Sequence, residues 1–377
     1  MRSLLQIILF SVLLATFSVK AQEALLFENG TVAAPAYKGE QHCYPVLART
    51  STGNLFVAWA HFQKNKDSKI LGAVSTDNGR TWGKPFKVLE SKGMSESDPA
   101  IIIDGDRILV YSSSVKRPNK ITNTDTLLAE SRDEGKTWSK PLKLAIPFNY
   151  LVGKRHLGLK LQDGTLVLPA SYDIWAQKGG IPAKSEGEMD LKSGVLLSKD
   201  GINWTPYLDI HLLAQKVSPF GTNGVVEPAA VELENREILL LLRTGTSNLY
   251  ESRSADGGKT WTQPSKSALT SHNTPASLWR LDKGSNEIIV IWNNHPLERD
   301  NLSVAISADG GRNWSKPKTV ASKDGRPKNY HDLQVSYPGI TQDREGNFVA
   351  VWQKQLPNGD GREIRWARFN RAWVLAQ

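Results

Sequence analysis

Six segments of the chain share one pattern, a polar turn followed by a burst of apolar residues. They are TGNLFVAWA at 52–60, DGDRILVYS at 104–112, DGTLVLPAS at 163–171, ENREILLLL at 234–242, GSNEIIVIW at 284–292 and REGNFVAVW at 344–352. Bursts this short, rich in Val, Ile and aromatics and opened by Gly, Asp or Asn, predict strands joined as hairpins. No segment sustains a 3.6-residue apolar period, so the fold class is all-β.

A second series is interleaved with the first. Ser75 to Trp82 (STDNGRTW), Ser131 to Trp138 (SRDEGKTW), Ser254 to Trp261 (SADGGKTW) and Ser307 to Trp314 (SADGGRNW) repeat one octet, and Ser198 to Trp204 (SKDGINW) is a copy one residue short. Successive aspartates are 133−77=56, 200−133=67, 256−200=56 and 309−256=53 residues apart. A period of that length with several strands per repeat means propeller blades, each unable to bury its faces alone. Six hairpins predict a six-bladed β-propeller, one domain over residues 22–377. Its last blade is closed by a strand from the chain's start, near Leu25–Ala34, which removes a free edge. Within the octet, Ser and Asp accept backbone N–H groups, Gly permits positive φ, and Trp packs between sheets. The octets are therefore scaffold, and the chemistry lies elsewhere.

The first residues, MRSLLQIILFSVLLATFSVKAQ, carry an arginine, an apolar run and small residues before Gln22. They read as a signal peptide over 1–21, which predicts an exported protein, secreted or periplasmic. No other window approaches the roughly 18 apolar residues of a membrane span, so no membrane insertion is expected. Cys43 is the sole cysteine, which excludes an intrachain disulfide. Lys and Arg outnumber acidic residues 47 to 38, for a net charge of +9, without a run of five or six like charges. That spread argues against nucleic acid and is compatible with a cationic cleft for a small anion. The chain has no H-E-x-x-H, no C-x-x-C, no calcium loop and no phosphate loop, so neither metal nor cofactor is predicted.

The octets resemble the Asp boxes of the sialidase (neuraminidase) superfamily of six-bladed propellers, and the resemblance covers essentially the whole chain after residue 21. It implies a pocket at one mouth of the central channel. There, three arginines grip a sugar carboxylate, a tyrosine with a glutamate partner acts as nucleophile, and an aspartate is the acid/base. In GVVEPAAVELENREILLLLR at 224–243, Glu227 matches the tyrosine's partner and Arg243 a clamp arginine. Arg243 also ends the apolar run Ile238–Leu242, where a cation is costly without a partner. In HPLERDNLSV, Arg299 matches a second clamp arginine, a guanidinium being the rigid fork that suits a carboxylate. In VSYPGITQDREGN, Tyr337 takes the nucleophile's place. A phenol is protonated at neutral pH and needs a base, for which Glu227 is the candidate; a neutral nucleophile also spares an anionic substrate a facing carboxylate.

Two positions depart from the pattern. Cys43 stands where the resemblance expects the blade-one clamp arginine, and Gln353 where it expects the glutamate that braces it. Asp67 is the best-placed acid/base, with His42 or His61 as the other possible proton donors. Asp98, Lys154, Arg155, His156, Tyr172, Asp173 and His331 are further rim candidates, and the 154–156 cluster is one possible source of the missing positive charge. The leading expectation is an exo-glycosidase for a terminal, acidic sugar of a glycan or polysaccharide. The others are a polysaccharide lyase acting on uronates and a propeller that binds carbohydrate without turnover.

Overall fold

Each turn-and-burst segment pairs antiparallel with the strand before it and the strand after it, giving six blades around a ring. The computed structural model describes residues 23–116, 124–148, 151–152 (backbone), 156–173, 190–212, 224–281, 284–325 and 333–376. The segment read as a signal peptide, Lys154, Arg155 and His331 lie outside the described residues. Blade one runs from Gln41–Arg49 to Phe86–Leu89, blade two from Met94–Asp104 to Leu142–Lys143, and blade three from Leu151–Val152 to Thr205–Ile210. Blade four runs from Val226–Glu232 to Ser265–Thr270 and blade five from Ser277–Arg280 to Lys318–Ala321. Blade six comprises Val335–Gln342, Phe348–Gln355, Arg362–Phe369 and the early strand Phe27–Ala33, which pairs antiparallel with Arg362–Phe369. The expected closing strand from the chain's start is therefore present. A single parallel pairing, Gln41 with Arg362, joins blades six and one.

Period-two alternation sends the two faces of every strand into two different cores. In Ile238–Arg243, Ile238, Leu240 and Leu242 pack with Val195 and Leu197 of blade three, whereas Leu239 and Leu241 pack with Val290 and Trp292 of blade five. The same rule produces one buried cluster between each blade and the next, including blades six and one, where Val349 and Trp366 meet Leu47 and Val57. Among the described residues, no helix is long and apolar enough to cross a membrane.

The octets perform the structural work expected of them. In the first, Ser75 Oγ donates to Asp77 Oδ1 at 2.8 Å and accepts from Gly79 N at 2.9 Å. Asp77 also accepts from Thr81 N at 2.9 Å and from Thr81 Oγ1 at 2.6 Å. The other four repeat the scheme around Asp133, Asp200, Asp256 and Asp309. Hydrogen bonds from Thr137 hold the Asp133 carboxyl down at about 2. Each octet also clasps the preceding blade: Trp138 lies 5.5 Å from the Phe56 ring and Trp204 meets Tyr111 edge-on at 5.6 Å. Gly201, at φ +79°, leaves no room for a side chain, since a Cβ would stand 2.8 Å from Leu109.

Candidate active site

Four innermost strands carry the same irregularity near their beginnings. Tyr44-Pro45, Asp98-Pro99, Glu227-Pro228 and Tyr337-Pro338 each sit where the pairing register shifts by a residue. Proline cannot donate to a ladder, which is why it marks a bulge here. The residue before each proline is left-handed, with φ of 58°, 49°, 49° and 54° respectively. Bulky residues in that region cost on the order of 1–3 kcal/mol each, a strain typical of functional sites.

The structure brings Glu227, Arg243 and Tyr337 together. Arg243 ends the second strand of blade four and is 6 % exposed, and Glu227 is 2 % exposed. Arg243 Nη1 donates to Glu227 Oε2 at 2.6 Å and to Tyr337 Oη at 3.3 Å, so one guanidinium nitrogen spans carboxylate and phenol. Behind them, Ser171 Oγ accepts from Glu227 N at 3.0 Å, and a ring nitrogen of His156 lies 3.1 Å from the Glu227 carbonyl. His156 is thus beside the site through the backbone of the bulge that aims Glu227.

Arg299 reaches the same phenol from blade five, its guanidinium carbon 5.3 Å from the centre of the Tyr337 ring. The two arginines are linked by Asn273, which sequence reasoning passed over. Its side-chain oxygen accepts from Arg243 Nε and its backbone carbonyl from Arg299 Nη2, both at 2.9 Å. Asn273 is left-handed, at φ 46°, two residues before Pro275. That N-T-P echoes the x-Pro bulges and was the available signal. Tyr44 closes the other side, its ring 4.8 Å from that of Tyr337 and edge-on. Its amide donates to Gln353 Oε1 at 3.0 Å, and Gln353 Nε2 donates to Ser336 Oγ at 3.1 Å.

A second missed residue is Arg362, at the start of the third strand of blade six. Its Nη1 stands 3.4 Å from Cys43 Sγ and its Nε donates to Gln355 Oε1 at 2.5 Å. Burial would weaken its hold on a proton, but Cys43, Tyr44 and Tyr337 around it more than offset that and raise its pKa.

The remaining candidates are more scattered. Asp67 is exposed on the loop after Leu55–Phe62, and Ser95 Oγ donates to it at 3.5 Å. Asp98 is buried in the blade-two bulge. Tyr172 packs in the core between blades two and three, tilted on Phe148 at 4.5 Å.

His42 and His61 are neighbours on paired strands of blade one, stacked at 4.9 Å. Trp59 Nε1 donates to His42 Nδ1 at 2.8 Å, and a His61 nitrogen lies 2.6 Å from Glu40 Oε1. Burial, followed by the neighbouring His61, holds His42 down at about 4, so its ring is neutral at pH 7. Ligand atoms of Glu40, His42 and His61 lie within 4.8 Å of one another, close enough to invite a metal reading. The tautomer argues against it. Indole N–H only donates, so His42 Nδ1 carries the lone pair and Nε2 the proton, which a metal at Nε2 would have to displace. The trio is instead a hydrogen-bonded brace behind Cys43 and Tyr44.

A cavity of about 340 Å³ lies at the far end of the innermost strands, lined by Arg49, Lys160, Glu232, Trp279 and Arg280. It is remote from the tyrosines, and its cations already have partners: Lys160 with Asp104 at 2.6 Å and Arg280 with Glu234 at 2.8 Å.

Glu96, two residues before Asp98, is fully buried and accepts from Ser112 Oγ at 3.0 Å and Ser114 Oγ at 3.1 Å. Burial pushes its pKa from 4.5 up to about 7 despite those donors. The folded state therefore holds this proton more tightly than the unfolded chain. Stability from Glu96 is intact below about pH 4.5 and is lost as pH rises through about 7, in total about 3 kcal/mol. Glu96→Gln should remove that slope, and denaturant unfolding at pH 5 and pH 8 checks it: a variant as pH-sensitive as the parent contradicts the assignment.

A closed ring of six blades, with Asp boxes clasping neighbours and a Tyr–Glu–Arg cluster at one mouth, defines the sialidase-like class of propellers. The chain belongs to the BNR repeat-like domain family, whose model matches residues 53–350. It is 26% identical over 302 residues to a sialidase of Bacteroides fragilis (strain YCH46), covering 69% of this chain and 51% of that protein. The chain thus spans about half the length of that curated relative. Among solved structures, it resembles the Hadza microbial sialidase Hz136, with a TM-score of 0.70 and 18% identity over 89% of this chain and 66% of that one. A Dyadobacter fermentans DSM 18053 protein of unknown function matches with a TM-score of 0.69 and 16% identity, over 91% of this chain and 98% of that one. At such identities, the solved structures speak for the fold alone.

Proposed function

We propose that this chain is an exported, retaining exo-glycosidase that removes a terminal acidic sugar from glycans or polysaccharides. The observation that carries the reading is the single Arg243 Nη1 group held at 2.6 Å from Glu227 and 3.3 Å from Tyr337, with Arg299 over the same phenol. Tyr337 Oη attacks the anomeric carbon, its proton passes to Glu227, and the glycosidic C–O bond breaks as the leaving oxygen takes a proton from Asp67 on its exposed loop. Water, deprotonated by Asp67, then attacks the glycosyl-tyrosine, and Tyr337 leaves and regains its proton from Glu227. The Arg243 N–H favours the charge that develops on the phenol oxygen in both steps. Arg243 and Arg299 supply positive charge for the sugar's carboxylate, and a neutral nucleophile avoids opposing it.

The test is fluorophore release from 4-methylumbelliferyl glycosides of sialic acid, glucuronic acid and rhamnose, with absorbance at 235 nm followed on uronate polysaccharides. Release from an acidic glycoside supports the proposal. A rise at 235 nm without release makes the protein a lyase, and rhamnose turnover alone removes the acidic-sugar element.

A further inference from the structure

Residues 43 and 353 leave a gap in the expected anion clamp: a cysteine replaces an arginine, and a glutamine replaces the glutamate that would brace it. In the structure, a guanidinium reaches the gap from the ring closure instead. Arg362 Nη1 touches Cys43 Sγ at 3.4 Å, and its Nε is braced by Gln355 Oε1 at 2.5 Å. Gln355 is two residues beyond Gln353 on the strand Phe348–Gln355, so both amides lie on one face. We propose that Arg362 completes, with Arg243 and Arg299, a three-guanidinium clamp for the carboxylate of a terminal acidic sugar.

Three features carry this assignment, which rests on the glycosidase reading above. The position of Arg362 is fixed, since its amide donates to Glu40 O at 3.1 Å where the strand crosses into blade one. Gly361 permits that crossing: at φ +117°, a Cβ would stand 2.1 Å from Glu40 O. Gln355 Nε2 closes the brace on Gly361 O at 3.0 Å.

The charge of Arg362 is also left for an incoming anion. Among the described residues, no carboxylate pairs with Arg362, whose acceptors are an amide oxygen and a sulfur. Arg368, on the same strand, shows the opposite arrangement, with Asp343 at 2.7 Å and Glu345 at 2.6 Å. A half-buried guanidinium without a counter-ion favours a ligand that brings one.

The third feature is steric. Cys43 is 1 % exposed, and its sulfur is in contact with Arg362. An arginine at 43 would need the volume that Arg362 fills, so the two arginines exclude each other.

The experiment is a cycle on the full chain: Arg362→Leu, Cys43→Arg, and the double variant, read by thermal unfolding and by steady-state turnover of the acidic glycoside and its methyl ester. Arg362→Leu is expected to raise KM for the acid about 10- to 100-fold, with kcat changed little and the ester unaffected. Cys43→Arg alone should lower Tm, and the double variant should recover both Tm and most of the lost KM. Equal KM for the acid in parent and Arg362→Leu, while Arg299→Leu raises it, overturns the role of Arg362 and leaves the glycosidase reading standing. A parent protein that turns over no acidic glycoside overturns both.

Discussion

Tyr337→Phe should leave the propeller and its sugar affinity nearly intact and lower kcat by about 10³-fold or more. The substitution removes one oxygen from a residue that is 6 % exposed. The ring remains between Tyr44, at 4.8 Å, and the Arg299 guanidinium, at 5.3 Å. Packing is therefore preserved, and only the oxygen proposed to attack the anomeric carbon is gone. Arg243 loses one of its acceptors but keeps Glu227 and Asn273. Thermal unfolding and product affinity should be close to the parent's. If kcat falls less than tenfold, Tyr337 is not the nucleophile. A fall accompanied by lost binding would mean that the hydroxyl positions the sugar instead.

The second large effect is on folding. Arg243→Met should cost about 3–5 kcal/mol of stability, because it removes the guanidinium held 2.6 Å from the buried Glu227 carboxylate. Methionine replaces most of the aliphatic stem, so the loss measures the ion pair rather than a cavity. Glu227→Gln in the same chain should restore most of it, since two neutral side chains carry no uncompensated charge. Denaturant unfolding of the parent, the two single variants and the double variant gives the coupling directly. Equal stabilities for Arg243→Met and the double variant would show that the 2.6 Å pair does not govern the fold there.

Local signals made the scaffold legible. Each octet satisfies its own hydrogen bonds within eight residues, so Ser, Asp, Gly and Trp announce it wherever it occurs. Strand bursts likewise carry their period with them, whereas Glu227, Arg243 and Tyr337 were legible through the resemblance of their segments to sialidase motifs, with Arg243 also marked by its place at the end of an apolar run. Arg362 was not, because its place depends on one parallel pairing with Gln41, across 362−41=321 residues, that exists only once the ring closes. Asn273 holds two arginines by a side-chain oxygen and a carbonyl, and a carbonyl has no sequence signature. The x-Pro bulges were a readable signal that hairpin patterning missed. A proline near the start of an innermost strand breaks the ladder and turns the preceding residue left-handed, which selects Tyr44, Asp98, Glu227 and Tyr337 together.

The most direct measurement is intact-protein and peptide mass spectrometry after acid quench of a running reaction with an acidic aryl glycoside. The account predicts a glycosyl adduct on the peptide containing Tyr337, absent from Tyr337→Phe. Turnover with no adduct at any time point, and product of inverted configuration, would contradict it.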